Sequence, residues 1–256
     1  MKLINGDCIE ELQHIPDNSV DMVLSDLPYG TTRNGWDRTI RLDKLWEQLR
    51  RICKDNAAIV LFAQAPFDKE LALSNPKEFR YEWVWVKPQG TGHLNAKKMP
   101  LKRHELILVF YRKPPKYRPQ FTIGKPYVCR SGRGSKNYDR QISVQTVNDG
   151  YRYPTSVLQF NTEKGYHPTQ KPVALCEYLI KTYSDEGDYR FFQRHFSGII
   201  TVCLSQVHEY FVSNTHGGIG RKLYPALFVK SVRRFYQPQD AGYIFPTFLL
   251  FLPLQV

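Results

Sequence analysis

An α/β fold on a mostly parallel sheet is what this sequence predicts, and three observations carry the prediction. Short apolar runs of the kind that form buried strands recur through the first 111 residues. Segments with helical apolar spacing alternate with them. One strand-like run, Val20 to Ser25, stops at Asp26-Leu27-Pro28-Tyr29. A carboxylate, a proline and an aromatic ring therefore meet at the carboxyl end of a strand, where ligands collect in open α/β sheets.

Taken in order, Cys8 to Ile15 has helical spacing through Cys8, Ile9, Leu12 and Ile15, and Val20 to Ser25 comes next as a strand. Leu42 to Cys53 is amphipathic, with Leu42, Leu45, Trp46, Leu49 and Ile52 on one face. Ala57 to Phe62 reads as a buried parallel strand, Phe67 to Leu73 as a short helix ended before Pro76, and Tyr81 to Val86 and Glu105 to Tyr111 as two more strands. From Arg112 to about Gly165 proline, glycine, tyrosine and basic residues replace the periodic pattern, as in Lys113-Pro114-Pro115-Lys116 and Arg130-Ser131-Gly132-Arg133. A further helix opens after Pro172, near whose start a missing N–H costs nothing, and carries Val173, Leu175, Leu179 and Ile180.

The bulk numbers narrow the function classes. A chain of 256 residues buries one core, or one core with an inserted module. No run approaches the roughly 18 apolar residues of a membrane span. The start, Met1 to Asp7, lacks the apolar stretch of a signal peptide, so the expectation is a cytoplasmic protein with no membrane partner. Cys8, Cys53, Cys129, Cys176 and Cys203 form no CxxC pair, which supports neither zinc nor a disulfide framework. The net charge of +12 is localised: Lys87 to Arg152 holds 15 Lys and Arg against 3 acidic residues. That footprint points to a polyphosphate partner, with Lys97, Lys98, Lys102, Arg103, Arg130, Arg133 and Lys136 as the candidates for phosphate contact.

The turn after Val20 to Ser25 suits methyl transfer to the exocyclic amine of a nucleobase. That amine is a poor nucleophile, because its lone pair is delocalised into the ring. Two acceptors binding both N–H hydrogens turn the lone pair outward, and Asp26 with a backbone carbonyl at Leu27 or Pro28 supplies them. Pro28 stiffens the turn, and Tyr29 offers a face for an extruded base. By itself an Asp and a Pro ending a strand also describe a plain turn. His104-Glu105 lies at a strand start without metal-ligand spacing and reads as structural; Trp83 and Trp85 alternate on a strand and read as packing residues.

Asp26-Leu27-Pro28-Tyr29 resembles the DPPY motif of the amino-group DNA methyltransferases. His167-Pro168-Thr169-Gln170-Lys171-Pro172 resembles the HPTQKP segment of their β group, and Asn5-Gly6-Asp7-Cys8 its NGDC start. Lys87-Pro88-Gln89-Gly90 through Ala96, Pro100 and His104 to Val109 looks like its middle segment. The resemblance covers residues 1–188. It implies a Rossmann-like S-adenosylmethionine-dependent methyltransferase fold with a loop-rich basic insert. S-adenosyl-L-methionine would be the donor and double-stranded DNA the acceptor. A homodimer and a cognate restriction enzyme are the further partners it brings into view. Asp26, Pro28 and Tyr29 inherit the catalytic roles, and aspartate at the first motif position favours adenine N6 over cytosine N4. Asp7, His167, Thr169, Lys171 and Pro172 inherit places at the cofactor. Leu27 departs from the family's proline but keeps the backbone carbonyl.

After Asp188 the resemblance ends. The family continues into a strand and a VLDPFxGSGTT-type loop, whereas this chain continues Tyr189-Arg190-Phe191-Phe192-Gln193-Arg194. His216-Gly217-Gly218-Ile219-Gly220 comes late, after no convincing strand. Residues 189–256 contain only Glu209 and Asp240 as acids, and end in the apolar Phe245 to Leu254. The organisation expected is a catalytic α/β half over 1–111, a basic DNA-recognition insert over 112–165, the start of a cofactor-binding half over 166–188, and an unrelated segment over 189–256. The fold is then incomplete, lacking central strands and the glycine-rich loop, with weak donor binding and poor solubility as consequences. Two alternatives stand beside the adenine enzyme: a DNA-binding remnant without transfer, and a cytosine N4 methyltransferase.

Overall fold

In the computed structural model, residues 2–31, 37, 39–130, 145–163, 170–196 and 199–206 are described. The chain divides into two units, the first spanning Met1–Glu163 with Gln170–Phe211. The second, Lys164–Thr169 with Val212–Val256, lies outside the described residues.

The first unit is built on a sheet of eight strands. Its strands are β1 (Lys2–Gly6), β2 (Val20–Asp26), β3 (Cys53–Ala63), β4 (Phe79–Thr91), β5 (Lys102–Phe110), β10 (Val157–Gln159), β11 (Tyr189–Phe196) and β12 (Ile199–Gln206), in the order β1-β12-β11-β2-β3-β5-β4-β10. The helices are α1 (Cys8–Leu12), α2 (Leu42–Ile52), α3 (Phe67–Ser74) and α4 (Val173–Tyr183). Two small ribbons pair β6 (Thr122–Ile123) with β9 (Tyr151–Arg152) and β7 (Tyr127–Arg130) with β8 (Gln145–Asn148).

The α/β class holds, but the sheet is mixed rather than mostly parallel. β11, β2 and β3 form a parallel centre. β5 is antiparallel to β3 and to β4, and β12 is antiparallel to β11 and to β1. The reason is visible at β4 and β5, which are joined as a hairpin rather than by a crossover helix. Two reversals make β4 run parallel to β3, so the carboxyl ends of β11, β2, β3 and β4 share one edge of the sheet.

Each central strand is apolar on both faces, as burial between two layers requires. One face packs Val23, Ile59, Leu61, Leu108, Phe110 and Phe191 under α1, α2 and α3. The other packs Met22, Leu24, Val60, Phe62, Trp83, Trp85, Ile107 and Val109 under α4, through Leu175, Leu179 and Tyr183. Helix α2 buries the predicted face, Leu42, Leu45, Trp46, Leu49 and Ile52. Asp43 in its first turn and Arg50 and Arg51 in its last complement the helix dipole. Arg51 also donates to the carbonyls of Leu12 and Ile15 at 2.7 and 2.8 Å, satisfying backbone acceptors at and just beyond the end of α1.

Within the loop-rich segment after Arg112, β10 adds a parallel edge strand beside β4 and buries Leu158. One expectation is corrected: the sheet does not lack its central strands, because β11 occupies the place beside β2. The Tyr189 N–H donates to Asp21 Oδ2 at 2.9 Å, and Arg190 Nε donates to Ser184 Oγ at 2.7 Å. Phe191 is fully buried. A run in which Tyr189, Phe191, Phe192 and Phe196 are interspersed with polar residues suffices for a strand in that slot whatever its wider resemblance. Trp83 and Trp85 pack as expected, their indole N–H groups donating to Tyr183 Oη at 2.7 Å and the Phe160 carbonyl at 3.0 Å.

Candidate active site

Asp26 is the last residue of β2, in register with Phe62 on β3 and Arg194 on β11. The strand alternation that puts Met22 and Leu24 on the α4 face puts Asp26 there too. Leu27 then turns into the core of the opposite face, which anchors the bend. The Tyr29 hydroxyl donates to Asp26 Oδ1 at 3.0 Å, and its ring stacks on Phe67 with centroids 5.7 Å apart and planes at 26°. Gly30 comes next at φ +65°, where an added Cβ would lie 2.6 Å from Thr39 Cγ2; its N–H donates to Asp37 Oδ1 at 2.8 Å. The left-handed conformation favours glycine there, and a side chain would also have to displace the Thr39 methyl.

Around Asp26 the structure assembles an alternating row of charges. Lys171 Nζ lies 2.8 Å from Asp26 Oδ1 and 3.2 Å from Glu105 Oε2, and Glu105 Oε1 is paired with Lys87. All four are largely withdrawn from water; the Lys171 side chain is 10% exposed and that of Glu105 7%. Buried ions persist only when compensated, and here two carboxylates meet two ammoniums. Burial works against the charge of Lys171, but Asp26 and Glu105 outweigh it and hold its pKa above the ordinary value. Burial likewise opposes the Glu105 carboxylate, yet Lys171 and Lys87 bring its pKa below the ordinary value. Burial, reinforced by Asp26, drives the Tyr29 phenol well above its usual range, so it stays a neutral donor. The Lys171 ammonium also sits 5.3 Å from the Phe62 ring centroid and 5.4 Å from that of Tyr29.

The other residues singled out from the sequence fall in different places. Asp7 is exposed and caps α1, its Oδ1 accepting from the N–H groups of Ile9 and Glu10 at 2.9 and 3.2 Å. Pro172 is the residue at which α4 begins. His167, Thr169, Arg133 and Lys136 lie outside the described residues, and Arg130 is described only as the backbone end of β7. Lys97, Lys98, Lys102 and Arg103 are all exposed on or beside the β4–β5 hairpin. Other cations of the basic window are engaged within the protein: Lys113 pairs with Asp55, Lys116 with Asp185 and Asp188, and Arg118 with Asp185.

Sequence reading misses Glu105 and Lys87, and takes Glu105 for a structural residue. The signal is present in the two-residue period: Lys87 continues Trp83 and Trp85, and Glu105 precedes Ile107 and Val109, all on the α4 face. It also misses Glu163. The carboxylate of Glu163 accepts from the Val173 N–H at 3.1 Å and from Gln170 Nε2 at 3.3 Å, a negative charge at the start of α4.

The neighbouring strand end is different. β11 reaches the same edge beside Asp26, but Phe196 pairs with Ile199, so only Ser197 and Gly198 separate it from antiparallel β12. β11 is therefore not continued by the loop and helix of a crossover, whose N-terminus could face an anionic ligand.

A family model described as DNA methylase matches residues 20–191. The Type II methyltransferase M.HpaI of Haemophilus parainfluenzae is 26% identical over 206 residues, covering 73% of this chain and 61% of that protein. M.BglII of Bacillus subtilis is 27% identical over 213 residues, covering 73% and 57%. The DNA adenine methyltransferase YhdJ of Escherichia coli K12 is 26% identical over 203 residues, covering 73% and 68%. The chain thus spans about 60% of the length of the first two relatives. Among solved structures, PvuII DNA methyltransferase (cytosine-N4-specific) superposes with a TM-score of 0.51 at 14% identity, covering 73% of this chain and 71% of its own, a likeness of fold.

Proposed function

The chain belongs to the DNA methylase family, matched over residues 20–191, and on that premise we propose that it descends from enzymes methylating adenine N6 in double-stranded DNA and keeps their acceptor half. The observation that carries this is Asp26 held at the carboxyl end of β2 by Tyr29 and Lys171. Both contacts reach Oδ1, and in this reading Oδ2 accepts from the amine of an incoming base. One N–H of the amine donates to Asp26 and the other to the backbone carbonyl at Leu27 or Pro28. The nitrogen lone pair then leaves conjugation and becomes a nucleophile, with the positive charge that develops placed beside a carboxylate. The Tyr29 ring supports the flipped base. Lys171 serves the carboxylate, and Glu105 and Lys87 position Lys171. Aspartate at position 26 supports adenine over cytosine.

The donor of this family is S-adenosyl-L-methionine, and it is the cofactor we assign. The chain's own residues fit it poorly. The hairpin between β11 and β12 stands where a glycine-rich cradle is needed, and the strand ends in Gln193-Arg194-His195-Phe196 without the carboxylate that would hold a ribose. Asp7, Lys171 and Pro172 each already have a local structural task. Calorimetric titration with S-adenosyl-L-methionine should accordingly show no saturation in the low micromolar range; a low-micromolar Kd would reverse this reading. The same hairpin favours a second reading, a DNA-binding remnant. Labelled methyl transfer to DNA at millimolar donor separates the two, with Asp26→Ala as the blank. N6-methyladenine in the digested product supports the adenine assignment, and N4-methylcytosine rejects it.

A further inference from the structure

β4 and β5 continue together past the edge of the sheet that carries Asp26. Asp26 is level with Phe62, Phe62 pairs with Ile107, and Ile107 pairs with Trp83, whereas the last pair of the hairpin is Thr91 with Lys102. β4 bulges between Val86 and Thr91, so the advance is set by the five residues from Ile107 to Lys102 on β5, which carry the arm roughly 17 Å beyond the level of Asp26. Its crest is a short 3-10 turn over His93–Asn95, entered through Gly92 at φ +91°. From Lys87 to His104 the arm contains no acidic residue. Lys97, Lys98, Lys102 and Arg103 are exposed on it, and so are the apolar side chains of Leu94, Met99 and Leu101. Leu94, at 101% relative exposure, is as open to solvent as a side chain can be.

A single exposed leucine is ordinary. A leucine at the crest of a projecting, acid-free, cation-flanked ribbon has a more specific meaning. The cations select a polyanion, a two-stranded ribbon fits the major groove, and the arm exceeds the roughly 8.5 Å depth of that groove. Apolar side chains inserted between base steps unstack them, and a base withdrawn for chemistry leaves a gap in the stack. We infer that Leu94 is a wedge that enters the duplex and fills the space left by the extruded base, with Lys97 and Lys98 on the adjoining phosphates. The inference rests on the DNA-acting reading above and adds the residue that replaces the base.

The test is binding of the full chain to two fluorescent duplexes of one sequence, one intact and one with a single abasic site, across a range of salt. The wild-type chain should prefer the abasic duplex by about fivefold or more, because the unstacking cost of a few kcal/mol is removed. Leu94→Ala should bring that ratio close to one, and Leu94→Met should keep it. Lys97→Ala/Lys98→Ala should weaken both duplexes equally and lower the slope of log K against log salt by about 2. Because Leu94 is exposed, its variants should melt with the wild type. An undiminished preference in Leu94→Ala overturns the wedge, as does a wild type with no preference. Loss of self-association in Leu94→Ala with DNA binding intact assigns the crest to a protein contact and also overturns it. A wild type that binds neither duplex removes the DNA-acting reading beneath it.

Discussion

β2 and β11 are parallel neighbours that end at the same edge of one sheet, in register at Asp26 and Arg194. At the end of β2 the chain spends a proline, a ring, a left-handed glycine and three further buried charges on holding one carboxylate. At the end of β11 it turns back within two residues. Both strands are paired within the sheet and both bury apolar side chains, Val23 and Leu24 on β2 and Phe191 on β11. The difference teaches that a sheet position and a site are separate requirements. A strand with a few well-placed apolar side chains fills the slot, but only a particular turn after it makes chemistry.

The largest effect should come from rebuilding the poorer end. Replacing residues 189–256 with the corresponding segment of M.HpaI should move affinity for S-adenosyl-L-methionine from the millimolar toward the micromolar range, about 4 kcal/mol. Calorimetry on the chimera reads it directly, and unchanged affinity would place the defect elsewhere. In that chimera Asp26→Ala should lower methyl transfer by at least about 10²-fold while leaving DNA affinity within about twofold, the signature of a group that acts on the developing charge. Equal losses in transfer and binding would make Asp26 a binding residue instead.

Lys171→Met comes next. It leaves Asp26 and Glu105 as buried carboxylates without the ammonium between them, at a cost of about 3–5 kcal/mol. Urea unfolding measures it, and Lys171→Met/Glu105→Gln should recover part of the loss by removing the uncompensated charge. A cost below about 1 kcal/mol would mean that water reaches the row of charges.

Much of this contrast is legible in the sequence. The Asp26 turn, the α2 face and the two packed tryptophans follow from local spacing, because period and burial are coupled within one element. Lys87 and Glu105 escape because each is unremarkable within its own strand. They meet only through the Trp85–Glu105 register, and a pairing register is a non-local fact. β11 escapes for a different reason. Departure from a family pattern suggests that no strand is there, although the slot beside β2 asks only for backbone hydrogen bonds and apolar side chains.

The pH dependence of stability sharpens the same contrast more gently. The Glu105 pKa is held below its ordinary 4.5 by Lys171 and Lys87 against the effect of burial. Its contribution is therefore complete above about pH 4.5 and is lost as pH falls through the lower, folded-state value. The Lys171 pKa is raised above 10.5 against its burial, so its contribution is complete below 10.5 and is lost as pH rises through the higher, folded-state value. Glu105→Gln should flatten the acid limb of a melting-temperature profile relative to wild type. An acid limb of unchanged steepness would show that other carboxylates set it.

The smallest effect belongs to the root of β11. Lys116 bonds to both oxygens of Asp188 at 2.7 and 2.9 Å and lies 3.2 Å from Asp185, geometry as good as that around Lys171. Hydrogen bonds to Asp188 lead the causes that raise the Lys116 pKa, with its modest burial opposing them. The lysine is nevertheless about a third exposed, so solvent screens the pair and water replaces a lost partner. Lys116→Ala should cost less than about 1 kcal/mol in urea unfolding. A cost matching that of Lys171→Met would mean that β11 is anchored as strongly as β2, and the asymmetry between the two strand ends would then lie only in the turns beyond them.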